Sequence, residues 1–302
     1  MNFNLKTIYL SIILSMLISI DRGFEDINSN GAWDPGEDLA ISSNEDRFIT
    51  IGGSVTEIVF KLGFGKSVIA VDQSSTFPQK VKDLPDIGYV RMISSERVLS
   101  KFPKKIFTSK DIAPKTAIKQ FQESPVDFNI YDSPKNISGI YSLIDQLSSD
   151  LKVRDLGVIV KNNIKTDVEL IESIYSKFKR KPKMAFFMNP ASGSYVAAGS
   201  ETVANYLIEV MGGDNIFSDE FKSYQKVSKE AIFIKNPDII LVAAHNSKDS
   251  SSNIFSKNSE FKTLKSVRKN NIIEIRMSDL TMGTSFASNA LSIIKQINYD
   301  SN

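Results

Sequence analysis

The chain of 302 residues contains no cysteine and a single histidine, His245. The first absence excludes disulfides and also a lipid-modified cysteine near the N-terminus. The second weakens any hydrolase reading, because a Ser–His–Asp set would have to use His245 and no Gly-x-Ser-x-Gly elbow is present. Neither a Walker loop nor a dinucleotide fingerprint occurs. An excess of one charge is missing too. The 37 basic and 35 acidic residues leave a formal net charge of +2, so no phosphate-tracking surface is indicated and nucleic acid is not an expected partner. Basic runs such as Lys177-Phe-Lys-Arg-Lys181 read as solvated helix ends.

An apolar share of 41% and a charged share of 24% describe an ordinary globular protein, and the length accommodates two domains, each with its own core. Lys6 precedes an apolar run from Ile8 to Ile20, broken only by Tyr9, Ser11, Ser15 and Ser19. That length suits a signal-peptide core and is short for a membrane span. No clean small-x-small site precedes Asp21, so residues 1–20 read as a signal peptide or an uncleaved N-terminal anchor. Export to the periplasm is expected.

Residues 26–37, Asp-Ile-Asn-Ser-Asn-Gly-Ala-Trp-Asp-Pro-Gly-Glu, fit the D-x-[DN]-x-[DN]-G-x5-E calcium pattern. Side-chain oxygens of Asp26, Asn28 and Asn30 would converge on one Ca2+, Gly31 would permit the turn, and Ala32 would offer its carbonyl. Asp34 holds the ninth position and Glu37 the twelfth. The flanks are not those of an EF-hand, because Pro35 interrupts the exit from the loop. A lone structural calcium loop is expected within a linker spanning residues 21–46; the alternative is a metal-free polar linker.

From Phe48 the pattern alternates between strand and helix. Phe48–Ile51 reads as a buried strand, after which Ser54 caps a helix from Val55 to Leu62 with Glu57 in the capping-box position. Further strands are expected at Ser67–Val71, Lys105–Thr108 and Asp127–Tyr131, with helices at Ser95–Lys101, Thr116–Glu123 and Ile137–Leu147. A second series starts with the strand Lys183–Met188 and has helices at Glu201–Met211, near Ser228–Ile234 and at Ser285–Ile297. Its strands are Asp238–Val242 and Asn271–Ile275. Between the series, residues 153–180 carry apolar side chains at three- and four-residue intervals, the mark of one long helix. Such alternation implies an α/β fold with mostly parallel sheets. The two halves also share a signature. Ser95-Glu96-Arg-Val-Leu-Ser-Lys-Phe-Pro103 matches Lys229-Glu230-Ala-Ile-Phe-Ile-Lys-Asn-Pro237, each ending in Lys-x-Pro and then a strand.

Together these features resemble the helical-backbone, class III periplasmic binding proteins, in which two Rossmann-like lobes are joined by one long rigid helix. Within that class the chain is similar to the haemin-binding proteins of bacterial haem importers, which are related to cobalamin- and siderophore-binding proteins. The likeness runs from about Arg47 to Ile297. It is carried by Gly52-Gly-Ser-Val-Thr-Glu-Ile-Val-Phe-Lys-Leu-Gly63, Val71-Asp-Gln-Ser-Ser-Thr-Phe-Pro78 and Leu84-Pro-Asp-Ile-Gly-Tyr-Val-Arg91. In the second half it is carried by Ala197-Ala-Gly199, Thr202 to Gly213 and Tyr224 to Pro237. On this likeness residues 47–152 form the N-terminal lobe, 153–180 the connecting helix and 181–302 the C-terminal lobe.

The resemblance implies a monomeric, non-enzymatic protein that binds haem in an interlobe cleft and hands it to an ABC permease and its ATPase. It places the iron-ligating tyrosine at Tyr89. Ferric iron is a hard acid that accepts a phenolate oxygen, and Arg91 would stabilise that anion or pair with a propionate. Tyr195 is a further haem-binding candidate, with ordinary packing at a strand end as the alternative. Met92, Met188 and Met282 are candidates for the apolar wall or for ordinary core packing, and His245 for a second ligand or a surface loop. Glu96 and Glu230 match the acids with which such proteins dock on their permease. The scarcity of histidine excludes the zinc- and manganese-binding relatives, which use several. A siderophore or cobalamin in the same fold stays open as an alternative, as does a calcium-stabilised cell-surface interaction protein.

Overall fold

In the computed structural model the described residues are 34–39, 42–188, 195–244, 253–256 and 258–298. The N-terminal apolar run, Asp26, Asn28, Asn30, Ala32 and His245 lie outside them. The chain divides into two compact units, one running to Asn163 and taking back Met282–Thr284, the other covering Ile164–Thr281 and Ser285–Asn302.

In the first unit, short runs of β-branched and aromatic residues form four parallel strands: β1 (Phe48–Ile51), β2 (Val68–Val71), β3 (Lys105–Ser109) and β4 (Asp127–Tyr131). Their order is β2-β1-β3-β4. Strands covered on both faces need apolar residues at successive positions, and all four residues of β1 are buried. The helices between them are α1 (Gly53–Lys61), α2 (Ser95–Leu99), α3 (Lys115–Gln122) and α4 (Ile137–Asp150). Ile49, Ile51, Ile106, Val98 and Phe121 belong to one core cluster.

One expectation is corrected here. α1 starts at Gly53, before Ser54, and has no side-chain cap. Gly52 turns the chain with φ 103°, and the next loop supplies the acceptors that a capping box would have provided. Gly52 N–H donates to Asp72 Oδ1 at 2.7 Å and Gly53 N–H to Ser74 Oγ at 3.1 Å. The Glu57 carboxylate is buried and accepts a hydrogen bond from Thr284 Oγ1 at 3.1 Å.

The long helix is α5 (Arg154–Tyr175). It stops short of residue 180 because Ser176 to Phe178 turn back on it, Phe178 N–H donating to Tyr175 O at 2.9 Å. Beyond the turn Arg180 is engaged by Asp238, at 2.8 and 2.9 Å. Gly157, inside this helix, allows a close approach, since a Cβ there would lie 2.5 Å from Ser148 Oγ.

The second unit holds β5 (Lys183–Met188), β6 (Tyr195–Ala198), β7 (Asp214–Asn215), β8 (Tyr224–Val227), β9 (Ile239–Ala243) and β10 (Ile272–Ile275). The sheet order is β10-β9-β5-β6-β8, with β7 beside β5. β10, β9, β5 and β7 pair in parallel, whereas β6 pairs antiparallel with β5 and β8. That antiparallel extension is not expected from the sequence. β8, Tyr-Gln-Lys-Val, is half-exposed or exposed at every position, so no buried run marks it. The helices are α6 (Val203–Val210), α7 (Lys229–Lys235), α8 (Asn253–Ser256), α9 (Lys265–Arg268) and α10 (Phe286–Ile294). Among the described residues no helix is long and apolar enough to cross a membrane.

Candidate functional site

In open parallel sheets, ligands bind beyond the carboxyl ends of the strands. In the first unit those ends are tied together by a buried carboxylate. Asp72, just after β2, accepts from Gly52 N–H (2.7 Å), Ser74 N–H (2.9 Å), Ser74 Oγ (2.6 Å) and Ser75 Oγ (2.8 Å). Ser75 Oγ in turn lies 2.6 Å from Thr56 Oγ1, which donates to Thr50 Oγ1 at 2.7 Å. The β1 and β3 ends meet at Gly52, where a Cβ would lie 2.8 Å from Ser109 Oγ. Only glycine fits both that contact and the positive φ.

The Tyr89 segment is fastened to this edge. Residues 85–88 run alongside the end of β2: Val71 N–H donates to Pro85 O at 3.1 Å, Ile87 N–H to Val71 O at 3.0 Å and Gln73 N–H to Gly88 O at 3.0 Å. Tyr89 then opens a single 3-10 turn, Val90–Met92, closed by Met92 N–H on Tyr89 O at 2.7 Å. The turn is locked to the loop after β3 by Ala113 N–H on Val90 O and Ile93 N–H on Ala113 O, both 2.9 Å. Val90 and Ile93 are buried anchors. Between and beside them Tyr89 is 45% exposed, Met92 is 78% exposed and Arg91 faces solvent. Among the described residues Arg91 pairs with Asp111, at 3.9 Å with both well exposed, so that ion pair holds its guanidinium weakly and leaves it able to meet an anionic ligand group. The structure thus places Tyr89 and Arg91 on one turn held by backbone hydrogen bonds, a phenol and a cation two residues apart. Asp72 and Asp111 were not singled out from sequence; Asp72-x-Ser-Ser directly after a strand is an Asx-turn signal that would have found the first.

Tyr195 does not fit the haem-binding role expected of it. It is 4% exposed in the core of the second unit, packed on Phe187, Phe255 and Phe261 with ring centroids 5.6–6.4 Å apart. Burial pushes its hydroxyl pKa up, which opposes a phenolate. Met282 is buried and Met188 half-buried, so of these three methionines Met92 alone stands open. Glu96 and Glu230 are both exposed and each is the second residue of its helix. Glu230 is held below the usual carboxylate range, chiefly by its own backbone N–H and then by the Ser228 hydroxyl.

Of the calcium motif only residues 34–37 are described, Asp34 and Glu37 among its expected ligands. Glu37 is buried, and its Oε2 accepts the Asp34 N–H at 2.9 Å. No group of three or more acidic or histidine side chains able to hold a metal ion occurs among the described residues. Apart from these residues, a groove of about 950 Å3 runs along β4, lined by Tyr131, Tyr141, Asp145, Asp150 and Arg154 among others.

Comparison with known proteins bears on the whole arrangement. Residues 49–278 match the sequence profile of the family described as periplasmic binding protein. The chain belongs to the periplasmic binding protein family. This binding protein has the class III α/β fold and is a transport component, not an enzyme. Its fold is similar to that of the periplasmic haem-binding protein HutB of Vibrio cholerae, with a TM-score of 0.73 at 25% identity, covering 83% of this chain and 98% of HutB. It is equally similar to the periplasmic haem-binding protein RhuT of Roseiflexus sp. RS-1, with a TM-score of 0.73 at 22% identity, covering 83% and 97%. In sequence, the vitamin B12-binding protein of Vibrio campbellii is 22% identical over 199 residues, 66% of this chain and 71% of the relative.

Proposed function

We propose that this periplasmic binding protein is the substrate-binding component of an ABC importer and that its cargo is haem, with Tyr89 as the iron ligand. The observation that carries the reading is the Tyr89 turn. A half-exposed phenol stands at the carboxyl edge of a parallel sheet, fixed by buried neighbours, with a loosely held Arg91 two residues on. A hard ferric centre takes an anionic oxygen, and a cation nearby favours the phenolate and suits a propionate. The exposed Met92 supplies apolar, polarisable surface for a macrocycle next to that ligand. The haem-binding proteins of similar fold support the same cargo. Glu96 and Glu230 are proposed to meet cations on the permease, with the protein working in the periplasm as a monomer. Calcium forms no part of the proposal, because four of the six residues that would hold it, Asp26, Asn28, Asn30 and Ala32, lie outside the described residues.

Cobalamin is the second reading, favoured by the relatives of that name in Vibrio campbellii and Vibrio vulnificus. Titrating the purified protein with haemin and, separately, with cyanocobalamin decides between them. The haem reading expects saturable binding with a high-spin ferric, tyrosinate-ligated spectrum. Saturable cobalamin binding with no change in the haemin spectrum would overturn it.

A further inference from the structure

We infer that Phe102 and Ile234 are apolar anchors for the membrane partner that Glu96 and Glu230 address, one anchor for each acid; this rests on the docking reading above. The two units repeat one local structure. In each a serine, Ser94 or Ser228, caps a short helix by accepting the N–H three residues on, at 3.2 and 3.1 Å. An exposed glutamate stands second in the helix, and a fully buried Val98 or Ile232 pins it to its core. Each copy ends in a residue of positive φ, 51° at Phe102 and 45° at Asn236, just before a proline and a strand.

The copies differ at the closing residue. A left-handed backbone suits glycine or asparagine and is an outlier for a bulky side chain. The second unit follows that rule with Asn236, whose Oδ1 also accepts Lys265 N–H at 3.0 Å. The first unit places phenylalanine there with 78% of it exposed, so core packing does not offset the strain. Its turn is held from outside instead: the Arg47 guanidinium donates to Lys101 O, and to Phe102 O at 2.8 Å. The backbone is thus secured without any help from the ring, which projects into water. A locally disfavoured residue whose own side chain makes no compensating packing marks a site of function.

Ile234 repeats the theme by another route. It is 82% exposed and lies four residues after Glu230 in α7, on the same helix face. An exposed acid accompanied by an exposed large apolar side chain fits a partner surface where a basic side chain borders an apolar socket. Because each unit carries one such set, the partner presents two, as a pair of equivalent permease subunits does.

The test uses Phe102→Asn, which copies the second unit's residue, and Ile234→Gln. Both are expected to fold and to bind cargo like the parent, with Phe102→Asn melting at or above the parent temperature. Affinity for the importer's permease–ATPase complex in nanodiscs is measured across a range of salt. Each apolar variant is expected to weaken association about tenfold while keeping its salt dependence, whereas Glu96→Gln and Glu230→Gln flatten it. Parent-like association of both apolar variants, with the glutamine variants weakened, would overturn the anchors and leave docking intact. Parent-like association of all four removes the docking reading as well. Should sedimentation show a parent dimer that Phe102→Asn dissolves, the patch serves a second copy of the chain and the inference is overturned.

Discussion

Tyr89 and Asp72 carry different burdens on the same sheet edge. Tyr89 is open to solvent, and its backbone is held by neighbours that do not depend on its hydroxyl. Tyr89→Phe is therefore expected to fold normally, lose the tyrosinate band and bind haemin about tenfold more weakly or worse; an unchanged spectrum removes the ligation assignment. Arg91→Ala should cost less, about a few-fold in affinity, because its charge is well solvated. Asp72 is the opposite case. Its carboxylate satisfies four buried or half-buried donors, so Asp72→Ala strands several of them and is expected to destabilise the protein by about 3 kcal/mol in denaturant unfolding.

Asp238 makes a prediction about acid. Burial raises its pKa, but the two hydrogen bonds from Arg180 and the one from Lys183 N–H outweigh that and leave it below the ordinary carboxylate value. A depressed folded pKa means stability that is present above the unfolded pKa, about 4, and is lost as pH falls through the folded one. The parent melting temperature should thus drop below about pH 4. Asp238→Asn should already melt lower at neutral pH, by about 1–2 kcal/mol given the half-exposed arginine, and respond less to acid. Identical pH profiles for the two would rule this pairing out as a source of acid sensitivity.

Among the elements, α5 sets intrinsic propensity against packing. Alanine is the better helix former by about 1 kcal/mol, so sequence alone recommends Gly157→Ala. The structure reverses the sign, because the new methyl would meet Ser148 Oγ at 2.5 Å and Ser148 Cβ at 2.8 Å, and Ser148 is itself buried. Overpacking of this kind costs about 1–3 kcal/mol. Gly157→Ala is expected to lower the denaturation midpoint, and a higher midpoint would show that α4 and α5 separate to accept it. The start of α1 teaches the same point. Ser54 and Glu57 have the spacing of a capping box, yet the donors at the helix start are satisfied by Asp72 and Ser74 from the loop after β2.

At the scale of the molecule, the docking proposed for the duplicated signature would make delivery separable from cargo binding. Glu96→Gln with Glu230→Gln is expected to leave haemin affinity unchanged and to abolish most uptake through the reconstituted importer, since a charge complementary to the partner governs association and orientation. Normal uptake by this double variant would refute the docking role. A small loss of melting temperature in Glu230→Gln is expected on separate grounds, from its contact with its own helix start.

What the sequence determined by itself is the periodic part of this protein. Buried runs such as Phe48–Ile51 and Met184–Phe187, and the three- and four-residue spacing through α5, are local consequences of burial. They specify α/β alternation, the long helix and the repeated Glu-to-Pro signature without any reference to distant residues. The Gly-Tyr-Val-Arg segment pointed to a ligand turn only through its likeness to the haemin-binding proteins, and that role is a proposal. Tertiary structure decided whatever depends on residues far apart in the chain. It gave Tyr195 a place among Phe187, Phe255 and Phe261, so a strand-end tyrosine became core. It made strands of Tyr195–Ala198 and Tyr224–Val227, because β5 offered an edge to the first and the first an edge to the second. It also left Phe102 outside while Arg47, 55 residues away, held its backbone. Spacing records which side chains share a face, whereas the donors, acceptors and neighbours that meet a given residue are fixed only when the chain closes on itself.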